Sequence, residues 1–103
     1  MTWHLESAEA RNDRHHATFQ IPARSLRESL RVNDLVKLIF HGSTSKGGPA
    51  AERMWVEISS RSSIVNGQVE YRGRLRNEPA FISGLKLDDE IVFGPEHVAS
   101  VQR

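Results

Sequence analysis

The chain has no cysteine. Disulfides, thiolate metal sites and cysteine nucleophiles are excluded with it. It has no long apolar run: nothing approaches the ~20 residues that a membrane-spanning helix needs. Its first residues, Met1-Thr2-Trp3-His4-Leu5-Glu6, lack a basic stretch followed by an apolar one, so no secretory signal is read there. These absences point to a cytoplasmic protein with no membrane partner. Net charge is nearly absent too, since 14 Lys and Arg stand against 13 Asp and Glu. A general electrostatic pull on nucleic acid or acidic lipid is therefore missing.

What is present suits one domain. The 103 residues are 38% hydrophobic and 26% charged, enough for one core and not for two. Residues 1–16 form a polar N-terminal segment. Ser7 to Arg14 there is helix-friendly but has no apolar stripe, which predicts a short, frayed helix. Residues 17–103 read as a single β-rich domain.

Within that domain Phe19 and Ile21 alternate with polar residues up to Pro22, which predicts a short first strand over 17–21. Ser25 to Leu30 predicts one or two helical turns, with Ser25 and Glu28 as a capping box and Leu26 and Leu30 on one face. Leu35 to Phe40 is a nearly continuous apolar run, as in a strand covered on both faces. Residues 42–51 are small, with Gly47-Gly48-Pro49 at their centre, and predict a mobile loop.

A long hairpin is the clearest pattern. Met54, Val56 and Ile58 alternate with Trp55, Glu57 and Ser59. Val69, Tyr71, Gly73 and Leu75 alternate with Glu70, Arg72, Arg74 and Arg76. Asn66-Gly67 between them is a strong two-residue turn signal. That turn would set Ile64 opposite Val69, Ile58 opposite Leu75 and Glu57 opposite Arg76. It would also set Arg61 opposite Arg72, the one awkward pair. A looser turn with a bulge is the alternative.

After Pro79, the segments 85–93 and 97–101 predict two further strands. One internal echo stands out. Leu30-Arg31-Val32-Asn33-Asp34-Leu35 aligns with Leu85-Lys86-Leu87-Asp88-Asp89-Glu90. In each, an Asx residue is placed to cap a tight turn and launch a strand.

Catalytic and metal patterns are weak. His15-His16 would point to opposite faces of a strand, and no acid–histidine spacing supports a metal. No Gly-x-Ser-x-Gly turn occurs, and Ser43-Thr44-Ser45-Lys46-Gly47-Gly48 lacks the Walker spacing. Asp88, Asp89 and Glu90 suit turn chemistry better than paired catalysis. No enzyme, metal or cofactor is expected. Arginine is uneven along the chain: Arg11, Arg14, Arg24, Arg27 and Arg31 crowd the first third beside His15 and His16, and Arg61, Arg72, Arg74 and Arg76 form a second group. The plain reading of both is solvated surface.

Three separated motifs, Met54-Trp55-Val56, then Gly73-Arg74-Leu75-Arg76-Asn77-Glu78-Pro79, then Gly84-Leu85-Lys86-Leu87-Asp88-Asp89, resemble the YegJ-like bacterial domain of unknown function. The resemblance covers roughly residues 17 to 101. The family's Gly-Asp turn is replaced by Asn33-Asp34 and Asp88-Asp89, residues that also tolerate the left-handed turn conformation. The likeness implies a bacterial origin and a compact α+β or barrel-like domain, without a chemistry. A weaker resemblance to a toxin-system immunity-protein family hints at protein binding.

The expected fold is thus α+β and mostly β: a small twisted antiparallel sheet or partly open barrel, with one or two short N-terminal helical segments. The expected function is a non-catalytic protein-binding module, immunity-like in one version. Its face would be Trp55, Arg72, Arg74 and Arg76, since tryptophan and arginine dominate binding hot spots. Trp55 would lie on the outer face and stack with an arginine, or be covered as a second small core. The alternative is nucleic-acid binding through the same basic row with Tyr71, although Tyr71 should face the core.

Overall fold

Order along the chain is β1 (His4–Leu5), α1 (Ala8–Arg14), α2 (Arg24–Arg27), β2 (Leu35–Ser43), β3 (Pro49–Ser63), β4 (Val69–Leu75), β5 (Glu90–Phe93), a 3-10 turn (Pro95–His97) and β6 (Ser100–Gln102). The computed structural model describes residues 2–63 and 67–103. The strands form one antiparallel sheet in the order β1-β2-β3-β4-β5, with β6 on the same side of β2 as β1. The sheet curls into a half-barrel, and helix is a minor part. No described helix is long and apolar enough to cross a membrane.

Alternation builds the core. Val36, Leu38 and Phe40 from β2, Met54, Val56 and Ile58 from β3, Tyr71 and Leu75 from β4, and Ile91 and Phe93 from β5 all turn into the concave face. Leu30, Ile82, Leu85 and Val98 fill it from the connections. Burying each such side chain contributes roughly 1.5–3 kcal/mol. A second, smaller core sits on the convex face, where Ala8, Ile39 and Ala99 pack with Phe19 and Ile21. That is why β2 reads as a continuous apolar run: both of its faces are covered around Ile39.

Residues 4–14 are built into this arrangement. Leu5 pairs with Phe40, and α1 is capped by Ser7, whose hydroxyl accepts from the Ala10 N–H at 3.1 Å. Ala8 is fully buried. Residues 17–21, by contrast, are not a strand. The Phe19 carbonyl accepts from the Asn12 side chain, and Phe19 and Ile21 still reach the convex core. The predicted capping box also fails. The helix begins two residues earlier than a Ser25 cap requires, at Arg24 with Ala23 as its N-cap, so Ser25 lies inside it, and Glu28 pairs with Arg24 at 2.9 Å instead.

The long hairpin forms with a different register. Val56 faces Leu75 and Ile58 faces Gly73, and then a bulge shifts the pairing so that Ser60 faces Arg72 and Arg61 faces Tyr71. An extra residue bends and twists a strand. In the observed register the expected Arg61–Arg72 pair does not arise on either side of the bulge. Arg61 swings over the Tyr71 ring, 6.0 Å from its centroid, and donates to the Leu30 carbonyl at 3.2 Å. The last described pair is Ser63 with Val69. Ile64 and Asn66 of the expected hairpin lie outside the described residues, while Gly67 has φ +72°.

The loop expected over 42–51 is shorter than its composition suggests. Ser43 pairs with Pro49, and Thr44 closes the turn by exchanging main-chain and side-chain bonds with Gly47 and Gly48. The internal echo, by contrast, is structural. Asn33 and Asp88 both have positive φ. Asp34 accepts from the Arg31 N–H at 2.8 Å, and Asp89 from the Lys86 N–H at 3.0 Å. In each copy the turn also trades main-chain bonds with one residue of the neighbouring strand, Ile58 in the first and Leu75 in the second.

Candidate binding face

The convex face divides in two. Around Ile39 it is covered by α1 and the 19–21 segment. Beyond that the outward side chains of β2 to β5 form three rungs across the sheet, set by the register. Lys37 and Trp55 are neighbours on one rung, with Arg76 near the end of β4. The next runs Leu35, Glu57, Arg74, Glu90. The third sets Ser60, Arg72 and Val92 side by side.

Trp55 belongs to neither apolar core. It is half-buried on the outer side, as alternation predicts. Its cation is not an arginine. Lys37, its direct cross-strand neighbour, lies over the ring 4.8 Å from the centroid. The arginines fall on the opposite, β4 side. Asn77 holds the strand here: its Oδ1 accepts from the Trp55 main-chain N–H at 2.6 Å, and Arg76 N–H donates to the Trp55 carbonyl. Asn77 thus ties the connection to β3 in addition to turning the chain.

The arginine row is interleaved with carboxylates. Arg72 meets Glu90 at 3.1 Å and Glu70 at 3.8 Å. Arg76 meets Asp88 at 2.8 Å and Glu57 at 3.5 Å. Arg74, between Glu57 and Glu90 in the register, donates to the Asp88 carbonyl at 3.3 Å. All three arginines are exposed. Surface pairs like these stabilise the fold by little. Their consequence is a patterned face, rather than a bare cationic stripe. Tyr71 is on the other side of the sheet, fully buried. Its hydroxyl donates to the Arg27 carbonyl at 2.8 Å and accepts from the Leu30 N–H. Burial raises its pKa, against the opposing pull of the Leu30 hydrogen bond. It cannot stack on a base.

The remaining motif residues are mostly structural. Met54, Val56, Leu75 and Leu85 line the concave core, Gly84 has φ +89°, and Asp89 caps its turn. Gly73 faces Ile58, and a Cβ there would lie 2.5 Å from the Glu57 carbonyl oxygen. Pro79 precedes a loop with one feature that sequence reading missed. The Glu52 carboxylate accepts three successive main-chain N–H groups, from Ala80, Phe81 and Ile82, at 2.7, 3.0 and 2.8 Å. Burial raises the Glu52 pKa, and the three donors outweigh it, so the net shift is downward. The loop held this way leaves Phe81 65% exposed. A lone Glu in a strand pattern carries no signal of a loop thirty residues away.

Other groupings among the described residues lie outside this face. Glu6 bonds Arg11 through both oxygens and His41 through Nε2, and His4 stacks on His41 with ring centroids 5.4 Å apart. A buried Arg27 bonds Glu9, Pro22 and Pro95, tying α2 to α1 and the 3-10 turn. An open hollow of about 710 Å³ is lined by Glu9, Arg24, Glu28, Arg61 and Glu96 among others. Among the described residues no group of three or more His, Asp or Glu is placed to hold a metal. No family model, curated protein or solved structure matches this chain.

Proposed function

We propose that this chain is a non-catalytic protein-binding module whose binding face is the uncovered convex surface of β2 to β5. The observation that carries the reading is the placement of Trp55 under Lys37 beside exposed Arg72, Arg74 and Arg76, each arginine set among acidic groups. A half-buried indole supplies contact area at low conformational cost, and arginine supplies directional donors. Alternating charge favours a partner of matching pattern, because a misplaced partner meets like charges. A bacterial toxin held by an immunity protein is one form such a partner takes, which the sequence resemblance suggests. Nucleic acid is disfavoured, because every cation of the row would have to exchange a protein oxygen for a phosphate.

The test is capture from the native host's lysate, with the bound material identified by mass spectrometry. A stoichiometric protein partner is expected. The Arg72→Glu, Arg74→Glu double variant should stay folded by circular dichroism and lose that partner. Undiminished capture by the folded variant would remove this face from the proposal. Capture of salt-labile, nuclease-sensitive nucleic acid alone would replace the reading with the nucleic-acid one.

A further inference from the structure

We propose that two copies of this chain join edge to edge through β5, extending the two half-barrels into one continuous antiparallel sheet. The starting point is the main chain of β5. Leu75 donates its N–H to the Asp89 carbonyl at 3.0 Å. Hydrogen-bonded pairs alternate along an antiparallel ladder. Gly73 with Ile91 and Tyr71 with Phe93 are then the bonded pairs, and the main-chain groups of Glu90 and Val92 turn away from β4. Among the described residues no other strand pairs with β5. An unpaired edge of this kind is a template for another strand.

The side chains choose a second copy as that strand. β5 alternates exposed Glu90, buried Ile91, exposed Val92 and buried Phe93. Val92, 41% exposed, is the apolar member of an otherwise charged part of the face. A two-fold axis through Ile91 sets Glu90 of one copy opposite Val92 of the other, twice. Each Glu90–Val92 pair then exchanges both of its main-chain bonds. No Glu90 faces the other Glu90. The outer rung becomes Arg74, Glu90, then the second copy's Val92 and Arg72. Each Glu90 carboxylate keeps its own arginines and gains the other copy's Arg72 two strands away. The interface is isologous, the same patch on both copies. The four-residue strand and the Gly94-Pro95 break limit its length, so the association is weak and concentration-dependent. The joined sheet also brings the two Arg72 and Arg74 sets onto one surface.

Sedimentation of the full chain from about 10 µM to about 1 mM should show a monomer–dimer equilibrium. Val92→Glu leaves the concave core untouched and, in the dimer, sets carboxylate against carboxylate at two places. It should weaken dimerisation about tenfold, while circular dichroism is unchanged. Adding Glu90→Lys to that variant sets an introduced ammonium against each introduced carboxylate and should restore the dimer. A strictly monomeric native chain, or dimerisation that ignores Val92→Glu, or a double variant that stays as weak as the single one, would overturn the β5 pairing.

Discussion

At the residue scale, the most constrained position is Gly73. It pairs with Ile58 just before the bulge. A Cβ would meet both the Glu57 carbonyl oxygen and Val56 Cγ1 at 2.5 Å. One obstacle is backbone and the other is a packed core group, so neither yields cheaply. Gly73→Ala should cost about 1–3 kcal/mol. The check is a urea midpoint that falls with an unchanged slope. A midpoint equal to the native one would mean that β3 and β4 are not this close. The alternation placed Gly73 correctly on the inner face. Only the paired backbone shows why no side chain fits there.

At the element scale, α2 is too short to stand on propensity. It is held by what lies beneath it. The buried Tyr71 hydroxyl donates to the Arg27 carbonyl and accepts from the Leu30 N–H. Tyr71→Phe removes both bonds while keeping the ring, and leaves a buried donor and acceptor unpaired. The loss should be about 1–3 kcal/mol. Hydrogen exchange at Leu30 should accelerate more than at the centre of β3, and equal protection at both would refute this role. The capping box at Ser25 and Glu28 was a sound local pattern that tertiary contact overrode. Burial of Arg27, with its bonds to Glu9, Pro22 and Pro95, sets where the helix sits. The twin Asx turns are the opposite case. Their bonds lie within four residues of chain, so the two sequence copies predicted two structural copies.

At the scale of the whole molecule, acid should act in two stages. Burial lowers the His97 pKa, against the pull of Glu96 and Glu9, and its Nδ1 accepts the Gly94 N–H at 3.0 Å. The folded state thus favours neutral His97. Its contribution is complete above the unfolded value near 6.5 and fades as pH falls below it. Glu6 is lowered to about 2, first by the Arg11 hydrogen bond and also by His41. Its contribution is complete above the unfolded value near 4.5 and disappears as pH falls toward 2. Glu52 is lowered too and fades in the same direction. Urea midpoints measured from pH 7 to 2 should decline below 6.5 and again below 4.5. Glu6→Gln should flatten part of the lower limb, on the order of 1–2 kcal/mol after solvent screening. An unaltered lower limb would place the acid sensitivity elsewhere.

Local pattern determined the class and most of the inner face. Alternation is a property of neighbouring residues, so Met54, Val56, Ile58, Tyr71, Leu75, Ile91 and Phe93 point inward as their spacing requires. It also sent Trp55 and the arginines outward. Tertiary structure decided which strands meet, and in what register. The bulge after Ile58 shifts the pairing within one hairpin, which no periodicity within either strand encodes. It decided that Phe19 and Ile21 pack into the convex core without a ladder, with the Asn12 side chain donating to the Phe19 carbonyl. It decided that Lys37, and not an arginine, covers Trp55, because β2 lies against β3 on that side. Contacts between residues far apart in the chain are settled by which surfaces bury together, and that is a property of the assembled sheet.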